Sequence, residues 1–185
     1  MSTVLQQASD LNSSLAAGAT QYHPAAMAPL TPAATENIVQ VMYRTAGALS
    51  NLYINVLTND RAASTLRSRV DAANGNQVVT ITGSITGKFE DTSNTDTVTA
   101  GLEWATQIVG GAGGTVFTYS VIQLLFAATT NTVIRYSTGS VNKTANASTT
   151  FNFLCGGGSL ATIESQTRFR FAAAATLKNL AVSVT

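Results

Sequence analysis

A single histidine, a single cysteine and a single tryptophan occur in this chain, and only 10% of its 185 residues are charged. Each scarcity removes a class of function. One cysteine, Cys155, excludes an intrachain disulfide. With one histidine, His23, it also falls short of the four ligands of a structural zinc site. His23 precedes Pro24, a poor place to hold a catalytic base rigidly beside a nucleophile, so it reads as a packing or hydrogen-bonding residue. Cys155 precedes three glycines and has no cationic neighbour, which reads as a small apolar residue and not as a reactive thiol. A net charge of +1 without a basic stripe argues against nucleic acid as a partner. No apolar run reaches the length of a membrane span, and Met1–Asp10 lacks the cationic and apolar regions of a signal peptide. Synthesis in a cytoplasm, no membrane, no cofactor and no enzymatic activity are the expectations.

What is abundant is small and uncharged. Apolar residues make up 45% of the chain, enough for a core, while Thr, Ala, Ser, Asn and Gly supply most of the rest. Soluble monomers usually carry more charge, so a surface of this kind suggests a subunit covered by neighbours. Residues 1–35 hold all three prolines and one charge, Asp10, and read as an extended arm lying on another subunit. From residue 36 the text changes to short alternating runs: Val39–Tyr43, Leu52–Val56, Leu66–Val70, Val78–Ile81, Ile85–Phe89, Val98–Val109 and Val116–Phe126. Asn74-Gly75-Asn76 predicts a hairpin turn, Asp91 to Asp96 a polar turn, and Gly110–Gly114 a flexible one. The fold class expected is all-β: an antiparallel β-sandwich or jelly roll over 36–128, with the arm before it.

Residues 129–185 read as a partial second β unit. Residues 164–185 align without a gap on 36–57: Glu36, Ala46, Leu49, Asn51, Leu52 and Val56 recur as Glu164, Ala174, Leu177, Asn179, Leu180 and Val184. Val41, Tyr43 and Ile54 are answered by Phe169, Phe171 and Val182. Further strands are expected around Val133–Tyr136 and Phe151–Leu154. A half-copy of a β unit predicts strands that seek partners, in the chain's own sheet or in a neighbour's. Assembly is therefore expected to use the arm and the tail strands, with Leu180, Val182 and Val184 at the contact.

Several stretches together resemble a known module: Tyr43-Arg44-Thr45-Ala46-Gly47-Ala48-Leu49-Ser50-Asn51-Leu52, Asn74-Gly75-Asn76-Gln77-Val78, Gly87 to Asp96, and Gly110–Thr115. They resemble a small jelly roll, TNF-like in strand layout, of tailed-phage virion structural proteins and bacterial surface proteins. The resemblance implies a non-enzymatic virion component, a capsid decoration (cement) protein or a fibre subunit. Its partners would be itself, as a trimer or polymer, and a major capsid or other virion protein, with assembly in the host cytoplasm. A filament joined by strand exchange and a carbohydrate-binding jelly roll are the alternatives.

Few residues suggest chemistry. Glu90, Asp91, Asn94 and Asp96 form the one oxygen-rich cluster, a weak Ca²⁺ candidate without the EF-hand pattern, against a turn whose side chains bond their own backbone. Arg67 with Arg69, and Arg168 with Arg170, are spaced two apart, so each pair projects from one strand face. Each pair either grips carboxylates of a partner or solvates an outer face. Trp104 with Tyr119 or Tyr53 would make a sugar-stacking platform, set against a place in the core. Gly110–Gly114 has no following Lys-Ser/Thr and is no phosphate cradle.

Overall fold

In the computed structural model, which describes residues 3–8, 13–25 and 32–129, every regular element but one 3-10 turn is a strand. Strands β1 (Thr3–Ala8), β2 (Ser13–Ser14) and β3 (Thr20–Pro24) come first. The 3-10 turn Glu36–Ile38 and the short β4 (Val41–Met42) follow. Then come β5 (Gly47–Asn59), β6 (Ser64–Val70), β7 (Ala73–Ile81), β8 (Gly87–Val98), β9 (Glu103–Val109) and β10 (Phe117–Ala128). Two antiparallel sheets result. Sheet A runs β1-β10-β5-β8 with β2 also on β10, and sheet B runs β3-β9-β6-β7 with β4 also on β9. The ladders nest: β1 pairs with β10, β3 with β9, β5 with β8, and β6 with β7. No described helix is long and apolar enough to cross a membrane.

Alternation explains the core. In β5 the residues Leu49, Leu52, Ile54 and Val56 are buried, and Phe117, Tyr119, Ile122, Leu124 and Phe126 of β10 lie in the same core. Sheet B supplies Leu66, Val79, Ile81, Trp104 and Ile108. Each such side chain withdrawn from water contributes roughly 1.5–3 kcal/mol. Tyr43 links the aromatic residues, edge-on to Trp104 at 6.4 Å and tilted against Phe126 at 4.8 Å. Its hydroxyl donates to the Ala25 carbonyl at 2.5 Å.

Strict alternation cannot bury both Leu49 and Leu52, three residues apart. Asn51 resolves the conflict by adopting φ +53, and the pairing of β5 with β8 shifts register between Ser50 and Leu52. Asn tolerates this left-handed region better than most residues. The irregularity lets the side chain of Gln77, from sheet B, take the Leu52 amide, with Oε1 accepting at 3.0 Å.

Three segments differ from the sequence expectation. Residues 1–35 were expected as an arm lying on another subunit; their described parts include β1 and β2 on β10 and β3 on β9, strands of the chain's own sandwich. The β6–β7 hairpin turns at Asp71-Ala72, with φ +45 and +62, and Val70 pairs with Ala73. Asn74-Gly75-Asn76 lies inside β7 beside a register shift, because a Cβ on Gly75 would stand 2.2 Å from Ser68 Oγ and 2.9 Å from Asp96 Oδ1. Its glycine answers a close approach and not a turn. Asp91 to Asp96 is likewise inside a strand, β8, where residues 92–94 form no pair with β5 and bulge outward opposite Asn51. Ala72 sits in the left-handed region without glycine's freedom, so Ala72→Gly is expected to stabilise by about 0.5–1 kcal/mol, read from a urea titration. An unchanged or lower midpoint would refute that.

Candidate functional site

Polar chemistry among the described residues gathers at two places, a seam between the sheets and the outer face of sheet B. At the seam, β7 and β8 are the edge strands of opposite sheets, and carboxylates stitch them together. Asp91 Oδ2 accepts from the Val78 amide at 2.9 Å, and Asp96 Oδ1 from the Asn76 amide at 2.6 Å. Asp96 Oδ2 further accepts from Ser68 Oγ at 2.6 Å and Gln77 Nε2 at 3.0 Å. Asp91 also satisfies its own bulge, accepting from the amides of Ser93 and Asn94 at 3.0 and 3.1 Å and from Asn94 Nδ2 at 2.8 Å.

The Ca²⁺ candidate thus separates into different roles. Asp91 and Asp96 are buried and engaged with protein donors, while Glu90 is exposed on the strand. No group of three or more His, Cys, Asp or Glu able to hold a metal occurs among the described residues. Burial alone would push the Asp91 carboxyl up, but the Asn94 side chain and the amides of Val78, Asn94 and Ser93 outweigh it and hold the pKa below the ordinary value of 3.8. A depressed folded pKa gives stability that is complete above the unfolded value and lost as pH falls through the folded one. The melting temperature is therefore expected to drop as pH falls below about 4, and Asp91→Asn to flatten that drop. Parallel acid profiles for the two proteins would refute a role for Asp91.

On the outer face of sheet B, Arg67 and Arg69 project from β6 as their spacing predicted, yet their surroundings differ. Arg69 is engaged within the chain: Nη2 meets Glu36 Oε2 at 2.8 Å, Nε lies 3.1 Å from Glu36 Oε1, and Asn74 Oδ1 and the Ala72 carbonyl accept from Nη1 and Nη2. The hydrogen-bonded carboxylate of Glu36 raises the Arg69 pKa. Arg67 is half-buried, and its Nε is buried with no partner. Its ladder neighbours are Val78 and Gln107, neither of them charged. Arg168, Arg170, Leu180, Val182, Val184 and Cys155 lie outside the described residues.

Other expected sites resolve into structure. His23 is buried on β3 and shares a 2.6 Å hydrogen bond with Tyr119 Oη across the sandwich. Trp104 and Tyr119 are each 1% exposed, so neither offers a ring face to a sugar. Gly110–Gly114 is braced and not loose: Arg61, 4% exposed, donates to the carbonyls of Gly113 and Thr115, and Asp60 accepts from the amides of Thr115 and Val116. Those amides hold the Asp60 carboxyl below its usual range. Sequence patterns missed Arg61 because nothing local marks a cation that will cap carbonyls more than fifty residues away. An open depression of about 470 Å³ beside this loop is lined by Leu15, Arg61, Gly114 and Phe117, with no acid–base pair in its wall. In comparisons with known proteins, the chain matches no family model, no curated protein and no solved structure.

Proposed function

We propose that this chain is a non-enzymatic structural subunit that assembles with itself to stabilise a shell or fibre, a virion component of the capsid decoration type built on a jelly roll. The nested ladders support the jelly-roll part of the reading, since a long hairpin of strands wrapped into two sheets pairs first with last and inward in turn. The observation that carries the assembly part is the composition of sheet A. Not one residue of β5 or β10 is charged, and the side chains that alternate with the core are Ser, Thr, Asn, Gln, Ala48, Tyr53, Leu57, Val121, Leu125 and Ala127. Lys88 and Glu90 of the edge strand β8 border that face, and its uncharged centre suits contact with protein more than open water.

Light scattering of the purified chain over a range of concentrations tests the proposal. Discrete small oligomers favour a decoration protein and open polymers a filament. A monomer persisting to about 1 mM would overturn self-assembly. Immunogold labelling of purified particles tests the virion role, and particles without label would remove it.

A further inference from the structure

We propose that the outer face of sheet B is a self-association surface on which two copies meet across a two-fold axis, the Arg67 of each against the Glu103 of the other. The inference rests on the reading that the chain assembles with itself, and it assigns to sheet B a contact of its own, beside the one suggested by the uncharged strands of sheet A.

Charge on this face is unbalanced locally. Arg69 and Glu36 neutralise one another at its centre. To one side Arg67 stands half-buried with no hydrogen bond and no ion pair among the described residues. Burial of Nε leaves its two terminal nitrogens as an end-on fork, a shape that matches a carboxylate. To the other side lies Glu103 on β9, half-buried, its backbone amide held by Asp71 Oδ1 and its carboxylate with no partner among the described residues. The ladder places Arg67 opposite Gln107, four residues from Glu103, or about 13 Å along the strand. One unpaired cation and one unpaired carboxylate flanking a neutral centre form a self-complementary set. A two-fold axis through that centre brings each to its opposite.

Apolar exposure coincides with the charges. Val78, 38% exposed, pairs with Arg67, and Met42, 46% exposed, pairs with Glu103. Each charge would thus enter the contact beside a side chain that gains from losing water. The remaining described carboxylates fit less well. Glu36, Asp60, Asp71, Asp91 and Asp96 already accept hydrogen bonds, and Glu90 lies on sheet A, which would give a head-to-tail contact without symmetry.

The test is sedimentation equilibrium of the full chain with Arg67→Glu, Glu103→Arg and the double exchange. Each single change is expected to weaken self-association at least about tenfold by placing like charges together, and the exchange to restore it. Circular dichroism checks that each variant is folded. If Arg67→Glu does not fold, Arg67→Gln takes its place with a smaller expected loss. A wild-type chain that is monomeric throughout overturns both the assembly reading and this face. Wild-type association that both single variants leave unchanged overturns the face alone. Single losses that the exchange fails to repair overturn the pairing of Arg67 with Glu103.

Discussion

Asp96→Ala is expected to lower the unfolding free energy by about 3–5 kcal/mol, the largest effect of any single side-chain truncation at the seam. The carboxylate is 3% exposed and accepts from Ser68 Oγ, the Asn76 amide and Gln77 Nε2. Removing it strands three donors at once, and an unsatisfied buried donor costs about 1–3 kcal/mol. The Ser68 hydroxyl can rotate toward another acceptor, which trims the sum. The Asn76 amide is fixed by the strand and cannot. Gln77 is held at its other end by the Leu52 amide, so its rearrangement would disturb the bulge in β5 as well. Asp96→Asn keeps one acceptor oxygen but turns an NH₂ group toward donors, and is expected to recover only part of the loss. Urea unfolding decides the matter. A loss below about 1 kcal/mol for the alanine variant would mean that the seam does not hold the sheets together.

Gly111→Ala follows, with an expected loss of about 3 kcal/mol. A Cβ at this position would stand 2.2 Å from the Ala62 carbonyl oxygen, 2.6 Å from its carbon and 2.7 Å from the Ala63 oxygen. All three are backbone atoms of the segment that follows Arg61, so no side chain can swing aside. Relief requires the 110–114 loop to move away from that segment. Such movement pulls the Gly111 amide from Ser64 Oγ, 2.9 Å away, and the Gly113 carbonyl from Arg61. Gly113→Ala makes the natural comparison. Its Cβ would meet nothing within 4 Å, and only its φ of +70 resists substitution, a cost of about 1 kcal/mol. Equal losses at the two positions would show that close approach is not what Gly111 provides.

How much of this was legible in the sequence depended on whether the signal was local. The runs Leu52–Val56, Leu66–Val70 and Val116–Phe126 read as strands because alternation is written in neighbouring residues, and they fall within β5, β6 and β10 almost throughout. Punctuation was less faithful. Asn74-Gly75 and Asp91–Asp96 carry turn chemistry, yet both lie within strands, because their small and acidic residues serve contacts between β7, β8 and β6 that no local window contains. The true hairpin turn, Asp71-Ala72, lacks the glycine that would have announced it. The three prolines and the low charge of residues 1–35 suggested an arm, but two-residue and five-residue strands need no long apolar pattern when a finished sheet offers its edge. At the candidate site, two-residue spacing placed Arg67 and Arg69 on one face correctly. It could not show that Glu36, thirty-three positions earlier, would claim only one of them.

The repeated residues acquire a sharper meaning from the first copy. Glu36 forms the ion pair with Arg69, Asn51 holds φ +53, and Leu49, Leu52, Ile54 and Val56 face the core. The residues shared with 164–185 are thus, in the first copy, an ion-pair partner, the left-handed residue of the β5 irregularity and part of the core face.

The stitched seam also makes the molecule one-sided toward other chains. A strand arriving at β7 finds the amides of Asn76 and Val78 already held by carboxylates, and it would have to displace two buried anions to add itself there. On the opposite flank, short N-terminal strands finish the sheets by antiparallel backbone ladders, the same currency an incoming strand would offer. Any strand addition to this sandwich would therefore favour one flank over the other. Aspartate guards one side like a terminator, and the other remains exchangeable in kind.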